Sequence, residues 1–510
     1  MNKEKTAVLV QMGLATIFAV LYAAAVRFCN AGFAQTQTPT LVCTLLLATI
    51  LLAAGGCLLR RREEIPESAV SLVIWMGVLI RILHVAYTPV GFLQNDLGMF
   101  APDNYGNMGY VYYLYTYGTL PDVNPMSHYQ FYHPPLHFAV CALLLRVAAF
   151  FGGDIGRMGV RYLQILPLVY SALTLLYFDK TAKKMKVPVT GRFLAVCAVA
   201  FLPYQILLSG AVHNDPPVLL FMVMSVYYAL VWYEEPTALH IFQLALAIGL
   251  GMMTKISAAL VAPGIGVLML MRAFQSRAEW KRYLGQFCFF ATVVFPLGLW
   301  YAVLRFVQFR MPLTYAPGLP EDSIQNISRY SVWERFFDFS GAFTVPYIQW
   351  DRQEAFADHN IFTTLVKYAV FGEADYSRVA DTVRVVSVLM LWATMVLLLL
   401  MLAGIVLFLG DQTIAVHVRT LVLVCIAVVF AMYVKFCLEF TFICAMNIRY
   451  ILAAIYLGML AMGYGFSGVI RRLEAGNRKA GKVLRMSLAA LFWIYVTGSI
   501  LLEFNLDVLM

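Results

Sequence analysis

Of the chain's 510 residues, 61% are hydrophobic and only 13% are charged, and the mean hydropathy is +0.76. A soluble globular chain carries about 25% charged residues, so a water-soluble fold is excluded. The formal charge of +9 is read as basic loops beside membrane spans rather than as a nucleic-acid surface.

Apolar stretches of roughly the 20 residues that cross a bilayer recur along the chain. Thirteen spans are predicted, near 7–28, 41–59, 68–88, 161–178, 192–209, 216–232, 239–254, 256–271, 286–307, 382–409, 418–436, 449–467 and 487–503. Gly32-Phe33-Ala34 resembles a signal-peptide cleavage site, but the apolar run before it is longer than a typical signal core. One further stretch, Pro134 to Phe151, opens with two prolines and carries Arg146 near its end.

The distribution of basic residues decides how that stretch is drawn. If it does not cross, several clusters share the cytoplasmic side: Lys3 and Lys5, Arg60 to Arg62, and Lys180, Lys183, Lys184 and Lys186. Arg272, Arg277, Lys281 and Arg282 join them, as does the group from Arg471 to Arg485. If it crosses, three basic clusters fall outside, against the positive-inside rule. Pro134 to Phe151 is therefore expected to lie in the outer interface.

The fold class that follows is an all-α polytopic membrane protein of about 13 transmembrane helices, with interfacial helices in its first outer loop. The N-terminus is expected in the cytoplasm. The expected divisions are an N-terminal hairpin over 1–67 and a transmembrane core over 68–307, which includes the first outer loop, 89–160. An outer loop over 308–381 and C-terminal helices over 382–510 complete the chain. Tyr315, Trp333, Tyr347 and Trp350 of the second loop read as acceptor contacts or as membrane anchors. No GxxxxGK[ST] phosphate loop occurs and no soluble domain remains for a nucleotide. Internal repeats, which mark many transporters, are not visible. The nine cysteines show no zinc-type spacing; the spacing of Cys437 and Cys444 leaves a pairing open.

The residues with chemical potential gather at the predicted outer face. Asp96 stands just beyond a span, where it is either a solvated acid or a functional one. After it come an aromatic stretch, Asn104 to Tyr117, and then Gln130-Phe131-Tyr132-His133-Pro134-Pro135. A second acid, Asp215, opens a span after His213-Asn214; helix capping is its simpler reading. Lys255 and Arg449 sit at outer span ends, where they either snorkel or bind an anionic headgroup. Arg81 is an internal charge that would suit Asp96 as a partner. His133 and His137 have metal-ligand spacing, but the prolines between them and the missing HExxH glutamate favour substrate contact or a structural role for His133.

From Leu72 to about Phe466 the chain resembles the GT-C class of polyprenyl-phosphate-sugar glycosyltransferases. The class includes protein O-mannosyltransferases and bacterial transferases of aminoarabinose. The resemblance rests on Asp96 after a span, the aromatic helix, and His133-Pro134-Pro135-Leu136. It continues with the basic cytoplasmic loop, Asp215, Thr254-Lys255 after a Gly-rich span, and Arg449-Tyr450 at a late helix. Many members carry an Asp-Glu pair in the first loop. Here Asn95 and Leu97 flank Asp96, and Asp103 is the acid left to take the neighbour's part.

The resemblance implies inverting transfer of a sugar from a polyprenyl-phosphate donor to an acceptor at the outer face. Asp96 would receive or hydrogen-bond the acceptor's proton and Asp215 would orient a sugar. Lys255 and Arg449 would stabilise the lipid phosphate. Gln130, Tyr132 and His133 would line the cavity, with Asp103 near the substrate. Some relatives hold a divalent metal ion at these acids and others do not, so the resemblance leaves the cofactor open between none and a divalent ion. The acceptor class stays open between lipid, glycan and protein. The rival readings are a lipid or sugar transporter and an oligosaccharide ligase.

Overall fold

The computed structural model describes residues 67–88, 91, 94, 96–102, 105–343, 345–350, 356–373 and 381–504. The predicted spans at 7–28 and 41–59, and so nearly all of the predicted hairpin, lie outside the described residues. Within them no strand forms; one antiparallel bridge joins Asn326 to Phe442.

The α-helices in chain order are α1 (Glu67–Tyr87), α2 (Asn107–Tyr117), α3 (Leu136–Phe150), α4 (Ile155–Leu163) and α5 (Ile165–Lys184). Next are α6 (Val189–Ala200), α7 (Pro203–Leu208), α8 (Asp215–Glu234), α9 (Ala238–Thr254), α10 (Ala262–Gln275) and α11 (Trp280–Phe309). The chain continues with α12 (Val332–Phe337), α13 (Ile361–Phe371), α14 (Asp381–Gly410), α15 (Val416–Glu439), α16 (Leu452–Gly476) and α17 (Arg478–Phe504). Nine helical segments among the described residues are long and apolar enough to cross a membrane. They match nine of the predicted spans. The spans predicted at 192–209 and 239–254 are shorter apolar helices: α6 has 12 residues and α9 has 17.

The span predicted over 192–209 breaks because Pro203 disfavours helical geometry at Leu202, which is extended. A break in an apolar setting leaves carbonyls without partners. Arg81, fully buried on α1, supplies them. Its Nη1 donates to Ala200 O at 2.6 Å and to Gly77 O at 2.7 Å, its Nη2 to Val199 O at 3.4 Å, and its Nε to Ser171 Oγ at 2.7 Å. Arg81 is thus taken up by the helix break and does not serve Asp96 as a partner.

Past the break, α7 and the turn 209–214 lead into α8. Gln94 clamps that turn. Its Nε2 donates to Gly210 O at 2.7 Å and its Oε1 accepts from Val212 N at 3.2 Å. The break and the clamp together set where His213 and Asp215 emerge.

Helix α16 is the centre of the bundle and packs against α6, α14, α15 and α17. Its approach to α6 is by backbone. A Cβ on Gly191 would lie 2.3 Å from Gly463 O, and one on Gly463 would lie 2.2 Å from Gly191 O. Only glycine at both positions permits that crossing.

The two long segments between spans, read from sequence as outer loops, fold onto this bundle. In the first, α2 packs on α3, with Tyr110 between Phe131 and Phe138 at ring distances of 4.7 and 4.6 Å. Arg146 on α3 donates to Tyr115 O at 2.7 Å, satisfying a carbonyl at the end of α2. In the second, α13 is buried almost throughout and packs against α7, α14 and the turns before α16. Lys367 and Asp358, both buried, pair at 2.8 Å beside it. Tyr347 is buried and Trp333 exposed. Cys437 and Cys444 are free thiols, so the pairing left open does not form.

Candidate active site

Asp96 reaches the site from a turn. Its backbone is left-handed, with φ of 63°, a conformation that Asp tolerates better than most residues. Asp96 O accepts Asn107 N at 2.9 Å and Leu97 O accepts Met108 N at 2.7 Å. The turn is thus held by N–H groups that the start of α2 would otherwise leave unpaired. Gly106, with φ of 94°, makes this approach possible: a Cβ there would lie 2.8 Å from Asp96 O. Gly106 N donates to Tyr129 O at 3.0 Å, which draws residues 129–133 alongside.

Asp215 is the first residue of α8. Pro216 and Pro217 follow it, in the first turn where a missing N–H costs nothing. Its carboxylate does not cap the helix. Asp215 Oδ1 instead accepts Lys255 Nζ at 2.6 Å. Lys255 is where α9 stops: it is extended between that helix and a 3₁₀ turn over Ile256–Val261.

Arg449 stands in a 3₁₀ turn before α16, its N–H capped by Asn447 Oδ1 at 3.0 Å. Its Nη1 lies 3.3 Å from Asp96 Oδ2, and its Nε lies 3.8 Å from Asp215 Oδ2. Its Nη2 donates to the Tyr450 hydroxyl at 3.0 Å. The Tyr450 ring takes both cations, Arg449 at 5.0 Å and Lys255 at 5.5 Å from its centroid.

His213 joins the two acids. Its Nε2 is 3.7 Å from Asp96 Oδ2 and its Nδ1 is 3.2 Å from Asp215 Oδ2. The backbone N–H of Asp215 also donates to Nδ1 at 3.1 Å, which in a neutral ring puts the proton on Nε2, facing Asp96. The Tyr129 hydroxyl donates to the other Asp96 oxygen, Oδ1, at 2.6 Å.

These contacts set the charge states. Burial favours a neutral Asp96, but the His213 hydrogen bond, the Arg449 charge and the Tyr129 hydroxyl outweigh it. The carboxyl is held well below the usual range. Burial likewise opposes charge on Arg449, and Tyr450 and Asp96 reverse the sign, keeping it a guanidinium. His133 is pushed the other way: burial and then the nearby Lys255 charge keep it neutral.

All of these groups line one cavity of about 520 Å³, within the range of small-ligand sites. Asp215, Val218, Leu219 and Met222 line it along α8, so it extends about 10 Å, some two helical turns, below the acid. Met432 and Phe436 on α15 and Phe440 just past its end continue that lining, with Lys435 and Glu439 beside them, and residues 311–319 pass along it. Tyr315 in that segment donates to Met126 O at 3.3 Å and meets the Tyr132 ring at 5.5 Å.

Of the residues picked from sequence, Asp96, Asp215, Gln130, Tyr132, His133, Lys255 and Arg449 come together here. Asp103 lies outside the described residues. Among those described, no three His, Cys, Asp or Glu side chains converge as a metal-ligand set. Both acids already face protein cations, so the donor set does not fit a divalent ion and no step is derived through one. Sequence reasoning assigned no role to His213, Tyr129 or Tyr450. The closeness of His213 to Asp215 was a signal for the first; Tyr129 stood beside Gln130 without a distinguishing mark.

Comparison with known proteins adds an independent finding. Residues 149–311 match the model of the dolichyl-phosphate-mannose-protein mannosyltransferase family, and no curated protein sequence matches the chain. Among solved structures the chain is similar to ArnT from Cupriavidus metallidurans in the apo state. The identity is 12% and the TM-score 0.43, over 86% of this chain and 76% of that one. ArnT from the same organism bound to undecaprenyl phosphate is matched at 11% identity and TM-score 0.43, over 86% and 77%. The resemblance of this chain to the GT-C class of polyprenyl-phosphate-sugar glycosyltransferases is thus carried by a family match over 149–311 as well as by its own residues.

Proposed function

We propose that this chain is an inverting glycosyltransferase that moves a sugar from a polyprenyl-phosphate donor to an acceptor hydroxyl at the outer face of the membrane. The observation that carries the reading is one cavity in which Asp96 and Asp215 face Lys255 and Arg449 above a mostly apolar lining two helical turns deep. A lipid-linked sugar phosphate has the same division: an anionic head, an uncharged ring and an apolar tail. The family matched over 149–311 is described by such a donor, dolichyl-phosphate-mannose.

Helix directions support the outward assignment. The start of α8, the end of α9 and the start of α16 all meet at the cavity. The basic groups Lys183, Lys184, Arg192 and Arg282 sit near the opposite helix ends, paired with Asp179, Glu234, Glu67 and Glu279. Basic residues keep their side of a span in the cytoplasm. The site then faces outward, where nucleotide sugars are absent and a membrane-borne donor is required.

In the proposed reaction the acceptor oxygen attacks C1 of the donor sugar as the C1–O bond to phosphate breaks. The bonding pair leaves with the phosphate, which Lys255 and Arg449 stabilise. The hydroxyl proton passes to Asp96. A carboxyl held so far below the ordinary range is a weak base towards an alcohol. It accepts a proton readily once C–O bond formation has made the acceptor oxygen strongly acidic, so proton transfer follows bond formation. Asp215 holds Lys255 in place and, with His133 and Tyr132, faces the sugar.

The test is transfer from radiolabelled decaprenyl-phosphate mannose and glucose by the purified protein, with membranes of a deletion strain as acceptor. Asp96→Asn is expected to lower the rate by about 10²–10⁴. Transfer unchanged in that variant would sink the mechanism. Movement of the lipid-linked sugar across vesicles, retained in that variant, would favour the transporter reading.

A further inference from the structure

The acceptor side of the cavity has a chemistry of its own. Asp96 divides its two oxygens: Oδ2 faces the Arg449 guanidinium and the His213 ring, whereas Oδ1, among the described residues, accepts from the Tyr129 hydroxyl. A carboxylate oxygen has room for two donors, and a phenol O–H there marks where an acceptor O–H would point. Tyr129 both lines the cavity and keeps 37% of its surface open to solvent. It therefore connects the outside to Asp96.

The surroundings of Tyr129 form a small aromatic shelf. Tyr105, 53% exposed, sits next to Gly106, whose N–H holds Tyr129 O. The Tyr105 ring meets His128 at 5.4 Å. Exposed aromatic faces with hydroxyl rims suit the C–H faces of a sugar ring, where stacking and hydrogen bonding act together. The charge pattern narrows this further. Between Arg81 and Arg146 the chain has no Lys or Arg, and its acids there are Asp96, Asp103 and Asp122. A surface built for phosphate or carboxylate would use arginine or lysine.

Resting on the proposed transfer reaction, we propose that Tyr129, Tyr105 and His128 form an acceptor subsite for an uncharged sugar ring, which presents a hydroxyl to Asp96 Oδ1. The acceptor is then a neutral glycan. An anionic phosphoglycan and a hydroxyl-bearing peptide are the alternatives.

The experiment uses full-length protein in nanodiscs and saturation-transfer NMR with three probes: maltotriose, a glycerol phosphate oligomer and a threonine-rich peptide. Binding of decaprenyl phosphate to the wild-type protein is measured in parallel. Maltotriose is expected to bind through its ring C–H protons. Tyr129→Ala should weaken it roughly ten-fold, and Tyr105→Ala, an exposed position, by about five-fold, whereas Tyr129→Phe keeps the ring and most of the affinity. The subsite is overturned if only the anionic oligomer or only the peptide binds, or if Tyr129→Ala and Tyr105→Ala leave maltotriose binding unchanged. Lipid phosphate binding without saccharide binding removes this inference alone. Absence of lipid phosphate binding removes the donor reading.

Discussion

Arg449 stands 353 residues after Asp96, yet its Nη1 lies 3.3 Å from the Asp96 carboxylate. The contact joins the turn between α1 and α2 to the start of the central helix, and both partners are largely buried. A charge pair in such surroundings is coupled: loss of either member changes the proton affinity of the other.

Arg449→Met should therefore introduce an acid limb into the pH profile of transfer. In the wild-type protein Asp96 has a depressed pKa and stays ionised as the pH falls through the ordinary carboxylate range. Removing the guanidinium raises the Asp96 pKa, so its charge, and the reaction that needs it, is lost at higher pH than before. Rates measured from pH 4 to 8 would show the variant declining on the acid side while the wild type does not. Parallel acid limbs would show that Arg449 does not govern the Asp96 charge.

Gly106→Ala should damage the site without touching a charge. The added Cβ meets Asp96 O at 2.8 Å, and the backbone is left-handed with φ of 94°. Strain of about 1–3 kcal/mol is expected, relieved by a shift of the Asp96 turn. Transfer should fall roughly 10²-fold, with a fall in Tm of a few degrees. Unchanged kinetics would mean that the turn tolerates the methyl group.

Arg81→Leu should lower stability by about 2–4 kcal/mol, because three backbone carbonyls and Ser171 lose their buried donor. The effect on activity passes through the chain from the Ala200 break to His213. Thermal unfolding in detergent and transfer rates on the same sample test both halves. Full activity with lost stability would separate the break from the site.

Lys367→Met leaves Asp358 buried without its cation and is expected to cost about 3–5 kcal/mol. Lys367→Met with Asp358→Leu should recover much of that loss, since an apolar pair of similar size carries no desolvation cost. A double variant no more stable than the single one would assign the loss to packing of α13 rather than to charge.

Much of the architecture could be read from sequence because the signal for a span is local. Twenty apolar residues in a row must leave water whatever surrounds them, and eleven of the predicted spans recur here as nine long helices and two shorter ones. Helix α13 escaped because its 11 residues are too few for a span and include Lys367, which looks like a surface charge until Asp358 is seen beside it. Asp96, Asp215, Lys255 and Arg449 were individually noticeable as charges at span ends. Tertiary structure alone decided that they pair two by two, that His213 bridges the acids, and that Arg81 serves a helix break instead. Those choices depend on contacts between residues tens to hundreds of positions apart, and only packing of the bundle brings such residues together. The opposite charge that a buried group must find is set by distance in space, which no local pattern records.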